Sequence, residues 1–127
     1  MQLNVGDIFE DGIIYEINKN DIKIISKVQK LVSPNNKDNI KLWKLPSIND
    51  LEKWFIKDTY IKINKTYHSF NNPGINKHWI YLVKDINANG DTLIYYGDFN
   101  IIKISDLNLP ENNPTFPTFY VRTIKIN

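Results

Sequence analysis

The chain has 127 residues, sixteen Lys or Arg against fourteen Asp or Glu, a formal charge of +2 and no cysteine. A chain of that length fits one domain that buries roughly two thirds of its unfolded surface and needs no metal or disulfide to fold. Without cysteine there is no disulfide framework, no thiolate catalysis and no sulfur-built zinc site, and lysines scattered among acids argue against a nucleic-acid surface.

The N-terminus, "MQLNVGDIFEDG", has no basic segment followed by an apolar one, so no signal peptide is expected and synthesis is expected in the cytoplasm. The first quarter reads as strands. "DIFEDGIIYEI" and "IKIISK" are rich in Ile, Phe and Tyr, and turn residues punctuate them at Asp11-Gly12 and at 18–21. The spacing predicts a hairpin turning at Lys19 and Asn20. "SPNNKDN" at 33–39 is a loop by composition. Pro46 then ends whatever precedes it, Ser47 is a good N-cap, and Asp50 three residues later completes a capping-box pattern. Leu51, Trp54 and Phe55 follow at helical spacing with Glu52 and Lys53 outward, which predicts a helix from about Ser47 to Lys57.

"TYIKINKTY", from Thr59 to Tyr67, alternates like a strand, with loop as the alternative, and "SFNNPGIN" is a loop. Two apolar runs follow, "HWIYLV" and "TLIYYGDF", joined by "KDINANGD", a predicted hairpin with Asn89-Gly90 at its tip. "WIYLV" is the longest unbroken apolar run and is far too short to cross a bilayer. "NIIKI" predicts a further short strand. The three prolines of "DLNLPENNPTFPT" argue against any regular element there, and "FYVRTIKI" is the predicted last strand. Strands at both ends, one helix between and no βαβ alternation give an α+β class with a mostly antiparallel sheet.

Few residue sets propose chemistry. Asp85, Asn87, Asn89 and Asp91 place oxygens at alternate positions with Gly90 at the turn, as in a calcium loop. The twelfth position from Asp85 is Tyr96 instead of Glu, and the flanks read as strands, so a plain hairpin is the better account. His68 and His78 are the only histidines, and the loop around them offers only Asn as a third ligand. No metal and no cofactor are expected. There is no GxSxG, P-loop or GxGxxG motif. Ten aromatics (Tyr67, Phe70, Trp79, Tyr81, Tyr95, Tyr96, Phe99, Phe116, Phe119 and Tyr120) crowd the second half, and most are expected in the core. Those placed in loops, Tyr67, Phe70 and Phe116, together with His68 and His78, are the candidate contacts to a ligand.

Arg122 is the single arginine beside fifteen lysines. Guanidinium is a planar fork with five donors, whereas ammonium is a hydrated point charge, so a site needing two fixed hydrogen bonds keeps arginine. The alternative is composition. Asn, Lys and Ile supply 18, 15 and 21 residues, a bias that an AT-rich genome produces and that makes arginine scarce throughout.

The order of "VGDIFEDGIIYEI", "LWKLPSINDLEKWF", "HWIYL" and "YVRTIKI" resembles a bacterial C-type-lectin-like family, typified by the C-terminal domain of collagen-like adhesins and distantly related to the formylglycine-generating-enzyme fold. The matching stretches are Trp43-Lys44-Leu45-Pro46-Ser47 through Asp50-Leu51 for W-R-L-P-[ST]-x-x-E-L, His78-Trp79 for the start of a Y-W-S-S-T block, and Tyr120 to Lys125 for Y-V-R-x-[VI]-[RK]. Ile80-Tyr81-Leu82 replaces the S-S-T, and the space before Trp43 is short for the first helix of such folds. The resemblance implies a compact C-type-lectin-like domain over residues 1–127, with adjacent N- and C-terminal strands. Its expected anchors are Trp43, Pro46, Ser47, Trp79 and Arg122. The arginine is expected to tie the last strand to Asp50 or Glu52.

The resemblance also implies non-enzymatic recognition: an adhesin or bacteriophage virion protein, exposed on a virion or cell surface by assembly, that binds a glycan or a protein receptor. The alternative is a structural subunit whose loops bind neighbouring subunits, including copies of itself. Neither reading involves nucleic acid or membrane insertion.

Overall fold

A computed structural model describes residues 2–33, 42–78, 80–97, 100–106 and 115–126. Trp79 and Phe99, and nearly all of the loop expected at 33–39, lie outside the described residues.

The fold is α+β, and every strand pairing among the described residues is antiparallel. The main sheet has the order β1-β2-β3-β9, from β1 (Ile8–Phe9), β2 (Gly12–Ile17), β3 (Asp21–Ser26) and β9 (Val121–Lys125). The hairpin expected at Lys19 and Asn20 joins β2 to β3, and Ile17 lies opposite Ile22. The last strand shares this sheet with the N-terminal strands, and its immediate neighbour is β3. β4 (Lys30–Val32) pairs with β8 (Phe116–Thr118) in a two-stranded ribbon. β5 (Asp85–Ile86), β6 (Thr92–Tyr96) and β7 (Asn100–Lys103) form a small third sheet.

Both faces of the main sheet are covered, which is why β2 and β3 read as near-continuous apolar runs. Ile13, Tyr15, Ile25 and Val121 face the larger core, and Ile14, Ile22 and Ile24 face a smaller cluster closed by Leu3, Phe9, Trp43 and Ile124. The register shifts between Ile14 and Glu16, a bulge that leaves Tyr15 without a partner on β3. Two consecutive residues therefore reach the same side. The Tyr15 hydroxyl donates to Asp50 Oδ1 at 2.7 Å, and Glu16 pairs with Lys53.

Both partner residues, Asp50 and Lys53, belong to α1 (Ile48–Trp54). Ser47 caps this helix as expected. Its Oγ accepts from Asp50 N at 3.2 Å, and Asp50 Oδ2 accepts in return from Ser47 N at 2.8 Å. The helix ends at Trp54, three residues short of the expected Lys57. Trp54 is fully buried at the centre of the larger core, edge-on to Tyr15, Tyr81 and Phe119. Its indole Nε1 is the buried side-chain polar atom, among the described residues, that has no hydrogen-bond partner.

Four expectations need correction. There are two helices instead of one. α2 (Lys57–Ser69) occupies the stretch expected as a strand, because its buried and half-buried residues Tyr60, Ile63, Asn64 and Tyr67 follow helical spacing. The apparent alternation came from Ile61, which is 55% exposed. Second, "HWIYLV" contributes only a bridge from Ile80 to Tyr96. Its Tyr81, Leu82 and Val83 are all buried, Leu82 in a different cluster from its neighbours, so the segment is packed from both sides, and among the described residues it has no further strand pairing. The hairpin itself stands, with β5 and β6 flanking Gly90 at φ +82°. Third, the proline-rich stretch yields β8, where Pro117 lies opposite Leu31. A two-stranded ribbon leaves an open edge on each strand, and an edge tolerates the missing donor.

The fourth concerns Arg122. It lies opposite Ile24 on the face of the sheet away from α1, so Asp50 and Glu52 are on the wrong side. Asp50 is in any case held by Ser47 and Tyr15. The guanidinium instead reaches Glu10 Oε2 at 3.0 Å and lies 3.9 Å from Asp11 Oδ1 in the β1–β2 turn. It ties the last strand to a neighbouring element, as expected, through one nitrogen and at the surface. Exposed pairs of this kind contribute little. Ser47→Ala is therefore expected to cost about 1 kcal/mol and Arg122→Lys less than about 0.5 kcal/mol, compared through urea unfolding midpoints. Equal losses would mean that the arginine pair is far less solvated than its geometry shows.

The core also sets an alkaline limit. Burial pushes the hydroxyls of Tyr15, Tyr67 and Tyr81 well above the ordinary tyrosine value, and the Asp50 carboxylate raises Tyr15 further. Unfolded tyrosine ionises near pH 10. Folded stability is thus fully present below that pH and falls above it, by about 1.4 kcal/mol per pH unit for each such tyrosine. The expected result is a sharp rise in tyrosinate absorbance coincident with loss of secondary structure. Gradual ionisation of these tyrosines near pH 10 with the fold intact would contradict it.

Candidate functional site

The first turn of α2 follows α1 almost directly. Ile56 serves as its N-cap without a side-chain bond, and Phe55 closes α1. The buried stripe of α2 seats Ile63 and Tyr67 in the core. The flanking stripe of Lys57, Ile61, Lys65 and His68, at helical spacing, stays exposed. Opposite this stripe runs the segment from Pro73 to His78. Between them lie two adjoining hollows of about 520 and 530 Å³ that share Tyr60, Ile61 and Asn76, and together they form one surface trough.

The far wall of the trough is fixed in place. Asn71 adopts φ +62° after the helix end and Gly74 φ +83°. Asn64, buried in α2, grips the backbone of Ile75 in both directions: Ile75 N donates to its Oδ1 at 2.9 Å, and its Nδ2 donates to Ile75 O at 3.2 Å. Asn72 Oδ1 accepts from Gly74 N at 2.8 Å, and its Nδ2 donates to Lys27 O at 2.8 Å. Asn76 N donates to the Tyr81 hydroxyl, and Asn76 Oδ1 accepts from His78 N at 2.9 Å. His68 Nε2 lies 3.1 Å from Pro73 O. A carbonyl only accepts, so this contact uses the tautomer protonated at Nε2.

The lining is apolar in the middle, with Ile61, Tyr60 and Pro73, and cationic or imidazole-bearing toward the ends. Lys65 and His68 stand at one end; Lys57, Lys77 and His78 stand at the other. Lys77 Nζ rests 5.7 Å over the Phe55 ring, and Phe55 stacks at a tilt on Tyr60 with centroids 5.9 Å apart. Among the described residues no carboxylate lines either hollow.

Of the five candidate contact residues, the structure brings His68 and His78 to this trough. His68 sits on the last turn of α2 instead of in a loop. The three aromatics are placed differently. Tyr67 is fully buried in α2, donates to Ser26 O at 2.6 Å and packs on Phe119. Phe70 is half-buried at the α2 C-cap, edge-on to Tyr67. Phe116 is buried in β8 within the cluster of Val32, Leu82, Ile94 and Tyr120. These three are packing residues: α2 and its C-cap turn Tyr67 and Phe70 toward the core, and the β4–β8 ribbon buries Phe116. The turn oxygens of the suspected calcium loop are occupied locally. Asn87 Oδ1 accepts from Asn89 N and Asp91 N at 2.9 and 3.0 Å, and Asp85 Oδ1 accepts from Ile86 N at 2.8 Å. Among the described residues no group of three His, Cys, Asp or Glu could hold a metal ion.

Sequence reasoning missed Lys57, Tyr60, Ile61, Lys65 and Asn76. The signal was present as Lys-Ile-Lys at steps of four, and it becomes visible once residues 57–69 are read as a helix. No family model, curated protein or solved structure matches the chain.

Gly74 is the residue on which the wall depends. A Cβ there would lie 2.2 Å from Asn64 Oδ1, and its backbone is left-handed. Gly74→Ala is expected to cost at least about 1–3 kcal/mol from the backbone alone, and to release the Asn64 grip on Ile75. Thermal melts read the first effect. Faster amide exchange at Ile75, relative to the β2–β3 amides, reads the second.

Proposed function

We propose that this domain is a non-enzymatic recognition module, presented on a virion or cell surface, that binds a glycan or a surface protein through the α2 trough. One observation supports the reading most: the trough is built before any ligand arrives. Its backbone wall is tied by Asn64, Asn72 and Tyr81, while the side chains aimed into it, Lys57, Ile61, Lys65, His68, Lys77 and His78, are exposed. Rigid walls with exposed contact groups lower the ordering cost of binding.

The lectin-like resemblance adds support of a different kind. Its two strongest blocks, W-x-L-P and Y-V-R, meet in space, where Lys44 and Val121 exchange both backbone hydrogen bonds at 2.9 and 2.8 Å. The resemblance is also the source of the bacteriophage or adhesin context. The non-enzymatic part of the reading comes from the same resemblance.

The second reading is a structural subunit that binds neighbouring subunits or copies of itself. It draws on exposed aliphatic residues around β4, namely Val28, Leu31 and Leu42, at 54%, 68% and 60% exposure.

The test compares the isolated chain with Ile61→Asp on a glycan array and against host-surface extracts. Ile61 is exposed, so the fold is expected to be unchanged. Binding is expected for the parent chain and about tenfold weaker or worse for the variant, the scale of removing one aliphatic contact. Binding that ignores Ile61→Asp would move the site elsewhere. Stable oligomers in sedimentation, with no ligand bound, would favour the structural-subunit reading.

A further inference from the structure

We infer that the trough takes a linear polyanion whose charges sit on a hydroxylated carbon chain, either an acidic saccharide or a phosphodiester-linked polyol. This rests on the recognition reading above and names the ligand class of the same site.

The lining charge is one-sided. Among the described residues no carboxylate lines the trough, which carries three lysines and both histidines. Among the described residues Lys57, Lys65 and Lys77 have no carboxylate partner, unlike Lys23, Lys53 and Lys103. Asp58, the nearest acid in sequence to Lys57, is not among the residues that line either hollow. Among the described residues an incoming anion therefore meets lining cations that are not already ion-paired, and their field adds along the groove.

The spacing favours a polymer over a single small anion. Lys57 and Lys65 lie two helical turns apart, about 12 Å along the axis. Ile61 stands midway, with Pro73 lining the groove beside it. A lone anion engages one end only. A chain with anions at intervals engages both, and its carbon skeleton rests on Ile61, Pro73 and the lysine stems. Lysine serves as a point charge that accepts phosphate or carboxylate from varied directions, whereas arginine would demand one planar geometry.

Two other polyanions fit less well. Single-stranded nucleic acid stacks its bases on free aromatic faces. Phe55 has Lys77 over its ring and Tyr60 and Tyr81 against it, both at 5.9 Å. An acidic peptide adding as a strand needs an unpaired backbone edge. The wall uses Gly74 N, Ile75 N, Ile75 O and Asn76 N internally.

The experiment titrates the purified chain with poly(glycerol phosphate), polygalacturonate, neutral dextran and a single-stranded oligodeoxynucleotide, each at low and high salt. At least one of the two acidic polymers is expected to bind, and to weaken as salt rises. Which one binds identifies phosphate or carboxylate as the charge. Dextran is expected not to bind, and the oligonucleotide to bind more weakly. Lys57→Gln and Lys65→Gln are each expected to weaken binding about fivefold with unchanged melting temperature. Lys125→Gln, the same charge change at an exposed position on β9, is expected to leave affinity unaltered. An equal loss with Lys125→Gln, oligonucleotide binding as tight as the polymers, or no polyanion binding would each overturn the inference. A neutral glycan bound in an Ile61-dependent way, with polyanions ignored, would overturn it and leave the recognition reading standing. No ligand of any class at the trough would remove both.

Discussion

The carboxylate of Asp50 joins the two halves of the core. Only 8% exposed, it accepts from the Ser47 amide and hydroxyl on Oδ2 and from the Tyr15 hydroxyl on Oδ1. Three donors are what a buried charge requires. They come from the residue before α1 and from β2. The bulge at Tyr15 makes the contact available, because it sends Tyr15 and Glu16 to the same side of the sheet. With the start of α1 fixed in this way, Trp54 enters the aromatic cluster in one orientation. α2, which begins three residues after α1 ends, then inherits its direction. The trough lies on the outer flank of α2, so its position traces back to this one carboxylate.

The opposite face of the main sheet follows a simpler rule. Ile14, Ile22 and Ile24 need cover, and Leu3, Phe9, Trp43 and Ile124 supply it. Arg122 sits at the margin of this layer and pairs outward with the β1–β2 turn, where Glu10 adopts φ +52°. A single arginine in a lysine-rich chain invites the expectation of a buried fork. Strand parity decides otherwise. Val121 faces α1, so Arg122 cannot. Ser26 holds the other side of this junction: its Oγ accepts from Tyr120 N at 3.0 Å, and its carbonyl accepts from the Tyr67 hydroxyl. Sheet, last strand and α2 meet at that one small residue.

The trough owes its chemistry to the division of labour within α2. Residues three and four apart share a face, so Tyr60, Ile63, Asn64 and Tyr67 serve the core and Lys57, Ile61, Lys65 and His68 serve the surface. Asn64 belongs to both sets. Buried, it would be costly without partners, and the backbone of Ile75 supplies both. A buried amide thus fixes the wall that faces an exposed cationic stripe.

The sequence by itself determined the local elements whose signals are chemical and short-range: the Ser47–Asp50 capping box, the turns at Lys19-Asn20 and Asn89-Gly90, the strands of the first quarter, the α+β class, and the last strand. Each depends on groups a few residues apart, so each was legible. It also made His68 and His78 candidates, although not for a reason that distinguished them from Tyr67, Phe70 and Phe116. Tertiary structure decided the rest. Residues 57–69 are helical because the aromatic cluster needs Ile63 and Tyr67 on one face, a demand that local alternation around Ile61 does not reveal. Phe116–Thr118 is a strand because β4 lies beside it. Tyr81, Leu82 and Val83 are buried from both sides because two clusters meet there. Arg122 finds its partner 112 positions away, and the trough exists because α2 packs beside residues 73–78. Contacts at that range depend on the packing of the whole chain, and short-range pattern carries no record of them.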